Sequence, residues 1–425
     1  MIRPLLLGTT AALLLATAAC DDGKNGKNDD GGAPLDGSVN DDLATPPDFA
    51  GPQTRKLDVL FMIDNSATMQ AASDQLVQHF GDFLQLFDQL TTQNIFVDLH
   101  IGVVTSDYGA GQLAMSGCSP SPGGDNGFLQ TIGKAADPSC VAPVGGRYIS
   151  YAYNPAGGEP KHNLPMGQTI AKTFTCMASV GATGCGFEHQ LESVYAALHN
   201  TVENAGFLRE DALLAVVFLT NEDDGSAAPD TIIYDPTKTA ELGAFDTYRQ
   251  AHYGILCGSP PMPPPYGASG GALSNCVPAP NPDGATNRAY DVRRYLDFFS
   301  LPKPAGGVKN DPRDVALIAI DGPEAPVETI LAQTNTGNGV PPDPAYVSCG
   351  PDITSICTVR EQHTCQNHLS PQFFADPAVR LNTVVRAANY HQISSICGDN
   401  LDAAPDFSKA MSEAGRMVRE RLYHQ

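Results

Sequence analysis

Apolar side chains recur along the chain in two alternating rhythms. Leu57-Asp58-Val59-Leu60-Phe61-Met62-Ile63 is a near-continuous apolar run that stops at Asp64, the pattern of a strand buried on both faces of a parallel sheet. Beyond it, Leu76, Phe80, Phe83, Phe87 and Leu90 are spaced alternately four and three apart, which predicts a helix with one apolar stripe. A second strand is predicted over 96–104, and a helix carries Phe187, Leu191, Val194 and Leu198 on one face. Residues 213–219 are again wholly apolar, and further strands are predicted over 315–320 and 393–397. Between the last two, Asp376-Pro377 reads as an N-cap followed by proline at the first helical position. Phe407, Met411, Ala414, Val418 and Leu422 form the inner face of a closing helix. Strand and helix alternate throughout, so the expected class is α/β: a doubly wound, mostly parallel sheet with helices on both faces. One domain is expected over 56–425, with Pro- and Gly-rich insertions near 108–165, 225–290 and 322–375.

The first fifty-five residues follow neither rhythm. Arg3 precedes an apolar run over 5–15, and Ala16-Thr17-Ala18-Ala19 leads into Cys20. A positive start, a short apolar stretch and small residues at a cut site mark a secretory signal peptide, here 1–19. The run is shorter than the roughly 20 residues that span a bilayer. A cysteine directly after the small residues is the point at which a lipoprotein signal peptidase cuts, and its sulfur carries the lipid. Cys20 is therefore the expected lipidation site, although Thr17 stands where Leu is commonest. Residues 20–55 are rich in Asp, Asn, Gly and Pro. Such a segment buries too little apolar surface to offset its ordering entropy, so a flexible acidic tether is expected.

Cysteine usage agrees with export. Of the eleven cysteines, lipid on Cys20 leaves an even set: Cys118, Cys140, Cys176, Cys185, Cys257, Cys276, Cys349, Cys357, Cys365 and Cys397. An even set suits an oxidising compartment in which thiols pair. Nearness in sequence suggests Cys118–Cys140, Cys176–Cys185 and Cys257–Cys276, and the last four allow three connectivities. The expected location is the cell envelope, at the periplasmic face or surface of a Gram-negative bacterium, with the lipid as the only membrane contact. Asp21 leans toward the inner membrane in some lineages. A formal net charge of −22 argues against nucleic acid and anionic lipid head groups as partners.

In an open α/β sheet, ligands bind outside the carboxyl ends of the strands. The first predicted strand runs there into Asp64-Asn65-Ser66-Ala67-Thr68-Met69. With the alternating elements that follow, this segment resembles the von Willebrand factor type A domain, whose first strand leads into a D-x-S-x-S motif. The resemblance covers the chain from residue 56 apart from the insertions. It implies that Asp64, Ser66 and Thr68, the last keeping the hydroxyl of the family's second Ser, form part of a metal-ion-dependent adhesion site. Hard divalent cations such as Mg2+ or Ca2+ take several oxygens, and residues i, i+2 and i+4 of a tight loop can converge on one ion. A partner's carboxylate would complete the coordination. The family's Thr before its third helix aligns with Cys185, leaving Thr183 as the substitute hydroxyl. Its Asp after the fourth strand aligns with Asn221, which keeps an oxygen but loses a charge. Asp223 or Asp224 could restore that charge if the loop curls back.

Each of these residues also has a plainer role. Asp64, Ser66 and Thr68 are N-cap residue types, and Glu222-Asp223-Asp224 has the composition of a solvated loop. His363, Cys365 and His368 have spacing that suits zinc together with Cys357, yet in an exported chain these cysteines are expected in disulfides. Glu188 and His189 read as a carboxylate compensating a helix dipole and a surface imidazole. The chain has no H-E-x-x-H, no G-x-S-x-G after a strand and no Gly-rich phosphate loop after the first strand. The expected function is a binding or adhesion module for a protein partner, not an enzyme. A metal-independent envelope-assembly lipoprotein is the alternative, and an unrecognised hydrolase the third.

Overall fold

The computed structural model describes residues 51–113, 118–119, 123–243, 247–258, 260–265, 271–281, 288–333 and 357–424. Cys20, the signal peptide, nearly all of the tether and Cys349 lie outside them. The folded part starts a little earlier than residue 56, because β1 spans Gln53–Ile63. The other strands of its sheet are β2 (Ile95–Thr105), β3 (Ile149–Ala152), β4 (Lys161–His162), β5 (Leu213–Leu219), β6 (Val315–Asp321) and β7 (Tyr390–Ser395). They form one seven-stranded sheet in the order β7-β6-β5-β1-β2-β3-β4. The pairs from β7 to β2 are parallel, and β3 and β4 add an antiparallel edge.

Alternation along β1 divides the core. Leu57, Val59, Phe61 and Ile63 face α1 (Gln70–Thr91) and α6 (Ser408–Tyr423), the helix carrying Met411, Val418 and Leu422. Phe61 meets Phe80 and Phe83 edge-on, and Phe80 stacks on Phe174 of α2 (Ile170–Ala178) at 3.7 Å between ring centroids. Leu60 and Met62 point the other way, toward α3 (Gln190–His199), α4 (Arg293–Ser300) and α5 (Val379–Ala387). Both faces of the sheet are thus covered, as the continuous apolar runs require. Asp58 is fully buried in the middle of β1 and is matched there: Arg209 donates to its two oxygens from Nε and the backbone N, each at 2.7 Å.

Several expectations shift. The stretch 108–165 supplies the β3–β4 hairpin to the main sheet and is not simply an insertion. The helix expected from Phe187 begins only at Gln190, and Phe187 packs against Tyr234 instead. Asp376 does not cap α5; Ala378 precedes that helix, and Asp376 holds His363 at 2.6 Å. The last two insertions meet in a three-stranded sheet formed by Gly271–Leu273, Val327–Gln333 and Cys357–Gln362.

The disulfides differ from pairing by sequence nearness. Cys118 bonds Cys185, and Cys140 bonds Cys176, in place of Cys118–Cys140 and Cys176–Cys185. Cys257–Cys276 pairs as expected, and Cys365 joins Cys397. Cys365 is excluded from the alternative zinc set by its bond to Cys397, and His363 and His368 hydrogen-bond Asp376 and Asp402; the Cys357 side chain lies outside the described residues. Among the described residues no helix is long and apolar enough to cross a membrane.

Candidate functional site

Register places the ends of four strands level: Ile63 pairs with Thr105 and with Leu219, and Leu219 with Ile320. The residues that follow therefore line one edge of the sheet. Asp64 is buried there and is held from three strand ends. Its Oδ1 accepts from the Ser66 backbone N at 2.7 Å and from the Ser106 hydroxyl at 3.3 Å, and its Oδ2 accepts from the Thr220 hydroxyl at 2.7 Å. The bond to Ser66 N is an Asx turn that swings the chain off β1. It also answers the capping question, since Met69 is the N-cap of α1 and no side chain caps that helix.

Thr68 accepts from the Asn221 amide at 3.0 Å, which joins the first loop to the loop after β5. The Asn221 side-chain amide oxygen and the Ser66 hydroxyl are buried with no hydrogen-bond partner. Asp64, Ser66, Thr68 and Asn221 are thus brought together. Thr183 is exposed on the neighbouring loop. That loop touches the site through Gly184, whose N donates to the Asn65 carbonyl at 2.9 Å. A Cβ on Gly184 would lie 2.2 Å from the Asn65 side chain, so the approach needs glycine. Cys185 is excluded as a hard-cation ligand by its bond to Cys118.

Asp223 and Asp224 are turned elsewhere. Asp223 accepts from the backbone N of Arg380 and of Leu381, in the first turn of α5, where the helix dipole favours a carboxylate. Asp224 is buried against Arg380, accepting from Nη2 at 3.0 Å, and also accepts from the Leu191 N of α3. Neither serves the site through a hydrogen bond to Asp64, Ser66 or Thr68. The run is a junction between helices, not a solvated loop.

Glu188 and His189 depart furthest from the sequence reading, for neither is at the surface. His189 is buried, with Nε2 3.0 Å from the Gly109 carbonyl, and burial lowers its pKa to about 4. Glu188 is fully buried, and neither carboxylate oxygen has a hydrogen-bond partner. Burial first, then the neighbouring charges of Asp64 and Glu222, push its carboxyl well above the usual range. Helical periodicity could not locate it, because residues 187–189 precede the helix. The signal in the sequence was its place between Phe187 and an apolar helix, just before the strand-end cluster.

Asp321, at the end of β6, is another fully buried carboxyl with both oxygens unpartnered, and burial holds its pKa well above the usual range. A group whose folded pKa is raised contributes stability that is present below its unfolded pKa of about 3.9 and is lost as pH rises toward the folded value. Asp321→Asn is therefore expected to leave stability near pH 4 little changed and to raise it by about 1–3 kcal/mol at pH 8. Denaturant unfolding of both proteins at the two pH values checks this. An equal effect at both would show that burial charge is not the cause.

Among the described residues no three His, Cys, Asp or Glu side chains are grouped to hold a metal. The oxygens around Asp64 include a second carboxyl, Glu188, with the hydroxyls of Ser66 and Thr68 and the Asn221 side-chain amide oxygen. That donor set has the chemistry of a hard divalent cation, and the orphaned oxygens of Ser66, Asn221 and Glu188 fit one.

No family model and no curated protein matches the chain. Among solved structures it is similar to proximal thread matrix protein 1 from the mussel byssus, at 15% identity and a TM-score of 0.19. The match covers 46% of this chain and 38% of that one, a likeness too slight to bear on fold or function.

Proposed function

We propose that this chain is a lipid-anchored, extracytoplasmic binding module whose ligand face is the carboxyl edge of its central sheet. In this reading a divalent cation, Mg2+ or Ca2+, is held by Asp64, Ser66 and Thr68, and an acidic side chain of a protein partner completes its coordination. The observation that carries the reading is the convergence of strand ends on Asp64 beside the orphaned oxygens of Ser66 and Asn221. A cation supplies what those buried acceptors lack, and an edge outside the strand ends is where an open α/β sheet receives ligands. The resemblance to von Willebrand type A domains and the lipidation signal at Cys20 supply the adhesive role and the location.

The test is the melting temperature of the purified protein with Mg2+, Ca2+ or Mn2+. A ligand at about 100 times its Kd stabilises by roughly 2.7 kcal/mol, so millimolar metal should raise the melting temperature of the parent and not that of Asp64→Ala. Equal curves with and without metal would sink the metal-bridged reading.

One observation favours a metal-independent version. Both oxygens of Asp64 are already hydrogen-bonded to Ser66, Ser106 and Thr220, so the loop holds its shape through protein contacts alone. Under that version the same face binds its partner without a cation. Capture of partners from the native envelope then survives chelator, whereas the metal-bridged version loses them.

A further inference from the structure

Glu188 is placed where a carboxyl is costly. Its side chain is fully buried, no protein group satisfies its oxygens at good hydrogen-bond geometry, and its nearest polar neighbours are the Asp64 carboxyl and the Ser106 hydroxyl. Two buried carboxyls facing one another, without a basic residue paired to Glu188, are unfavourable unless a proton or a bound cation neutralises them. Other buried acids of the sheet are matched by a base, although Asp321 at the end of β6, like Glu188, has no ion pair among the described residues. Asp58 has Arg209 and Asp224 has Arg380. No ion pair involves Glu188 or Asp64 among the described residues. Two further orphans of this edge, the Ser66 hydroxyl and the Asn221 side-chain amide oxygen, belong to the loops that hold Asp64.

We propose that Glu188 is the second anionic ligand of the cation site built on Asp64, Ser66 and Thr68, supplying the charge that Asn221 lacks. This rests on the metal-bridged reading above and names a ligand that the D-x-[ST]-x-[ST] pattern does not contain. With one carboxylate the site would carry a single negative charge against a divalent ion. With Glu188 the two charges balance, and hydroxyl and amide oxygens fill the remaining positions. Cation affinity in oxygen sites follows the number of charged ligands, so losing Glu188 costs the site half its charge. The backbone supports this placement. Glu188 lies beside the chain after β2, with an isolated bridge between Asp107 and Glu188 and a bond from His189 N to the Ser106 carbonyl. That bridge fixes the direction of Glu188 before α3 begins.

Mn2+ binding to the full-length protein, followed by electron paramagnetic resonance, tests the assignment. The parent is expected to bind, Asp64→Ala to lose binding, and Glu188→Gln to bind at least tenfold more weakly with an unchanged circular dichroism spectrum. Glu188→Gln combined with Asn221→Asp moves the carboxylate across the site and should recover most of that loss. Thr183→Ala, on the exposed loop, should bind as the parent does. If Asp64→Ala abolishes binding while Glu188→Gln binds like the parent, Glu188 is not a ligand and the metal-bridged reading stands. If the parent itself binds no Mn2+, that reading fails and the assignment falls with it. Should Glu188→Gln not fold, Glu188→Asp decides: retraction of the carboxylate by one methylene must weaken binding, and unaltered binding overturns the proposal.

Discussion

Arg380→Met is expected to destabilise the protein by about 3–5 kcal/mol, the cost of leaving one member of a buried ion pair uncompensated. Arg380 and Asp224 are 1% and 0% exposed, so solvent does not screen the loss. The guanidinium also gathers three separate segments. Nε donates to the Asp224 carbonyl at 2.7 Å, Nη1 to the Gly254 carbonyl at 3.2 Å and Nη2 to the Tyr290 carbonyl at 2.8 Å. One side chain of α5 therefore ties the loop after β5 to the middle and the far end of the second insertion. Removing it orphans those carbonyls as well as the carboxylate. Chemical denaturation of Arg380→Met and of Arg380→Met/Asp224→Asn separates the two costs. The double variant should recover part of the loss, because it no longer buries a lone charge. A loss below about 1 kcal/mol in the single variant would mean that water or a neighbouring group reaches Asp224 when the arginine is gone.

How much of this was legible in the sequence differs by region. The central strands and the closing helix were, because burial on one or both faces leaves a period that no loop imitates. Asp64, Ser66 and Thr68 were legible for the same reason: a polar cluster at the end of a buried run must lie at the edge of the sheet. The β3–β4 hairpin was not. Ile149-Ser150-Tyr151-Ala152 is four residues long, and β4 is only Lys161–His162. Elements that short carry no readable period, and they pair because an edge of the sheet is free beside them. Asp223 was misplaced because loop direction is set by contact with α5, more than a hundred and fifty residues away in sequence. Glu188 was misplaced because it was given helical geometry, whereas it precedes α3 and bridges Asp107.

The disulfides failed for a more general reason. Loop-closure entropy rises only slowly with loop length, so the nearest cysteine in sequence has little advantage over one that folding brings close. Cys118 and Cys185 are 67 residues apart yet meet at the base of the loop bearing Thr183 and Gly184. That separation makes the bridge consequential.

Replacing Cys118 and Cys185 with Ala is expected to cost about 4 kcal/mol if the bridge acts mainly by restricting the unfolded chain. The packing around it sets how much is retained. Cys185 lies in a small buried cluster with Phe187, Ile233 and Tyr234, and Phe187 meets Tyr234 at 4.6 Å between centroids. These contacts can hold Cys185 in place without the bond, but Cys118 has only partial burial to hold it. The loosened part should therefore be the stretch around Cys118, followed by the Gly184 contact to Asn65. Hydrogen exchange at Gly184 N would report it, since that N–H is bonded to the Asn65 carbonyl in the intact loop. Faster exchange there, with exchange in β1 and β5 unchanged, would show that the bridge braces the rim of the candidate site and not the sheet. If global stability falls by about 4 kcal/mol while Gly184 stays as protected as β5, the bridge acts on the unfolded chain alone, and the rim owes its order to Phe187 and Tyr234.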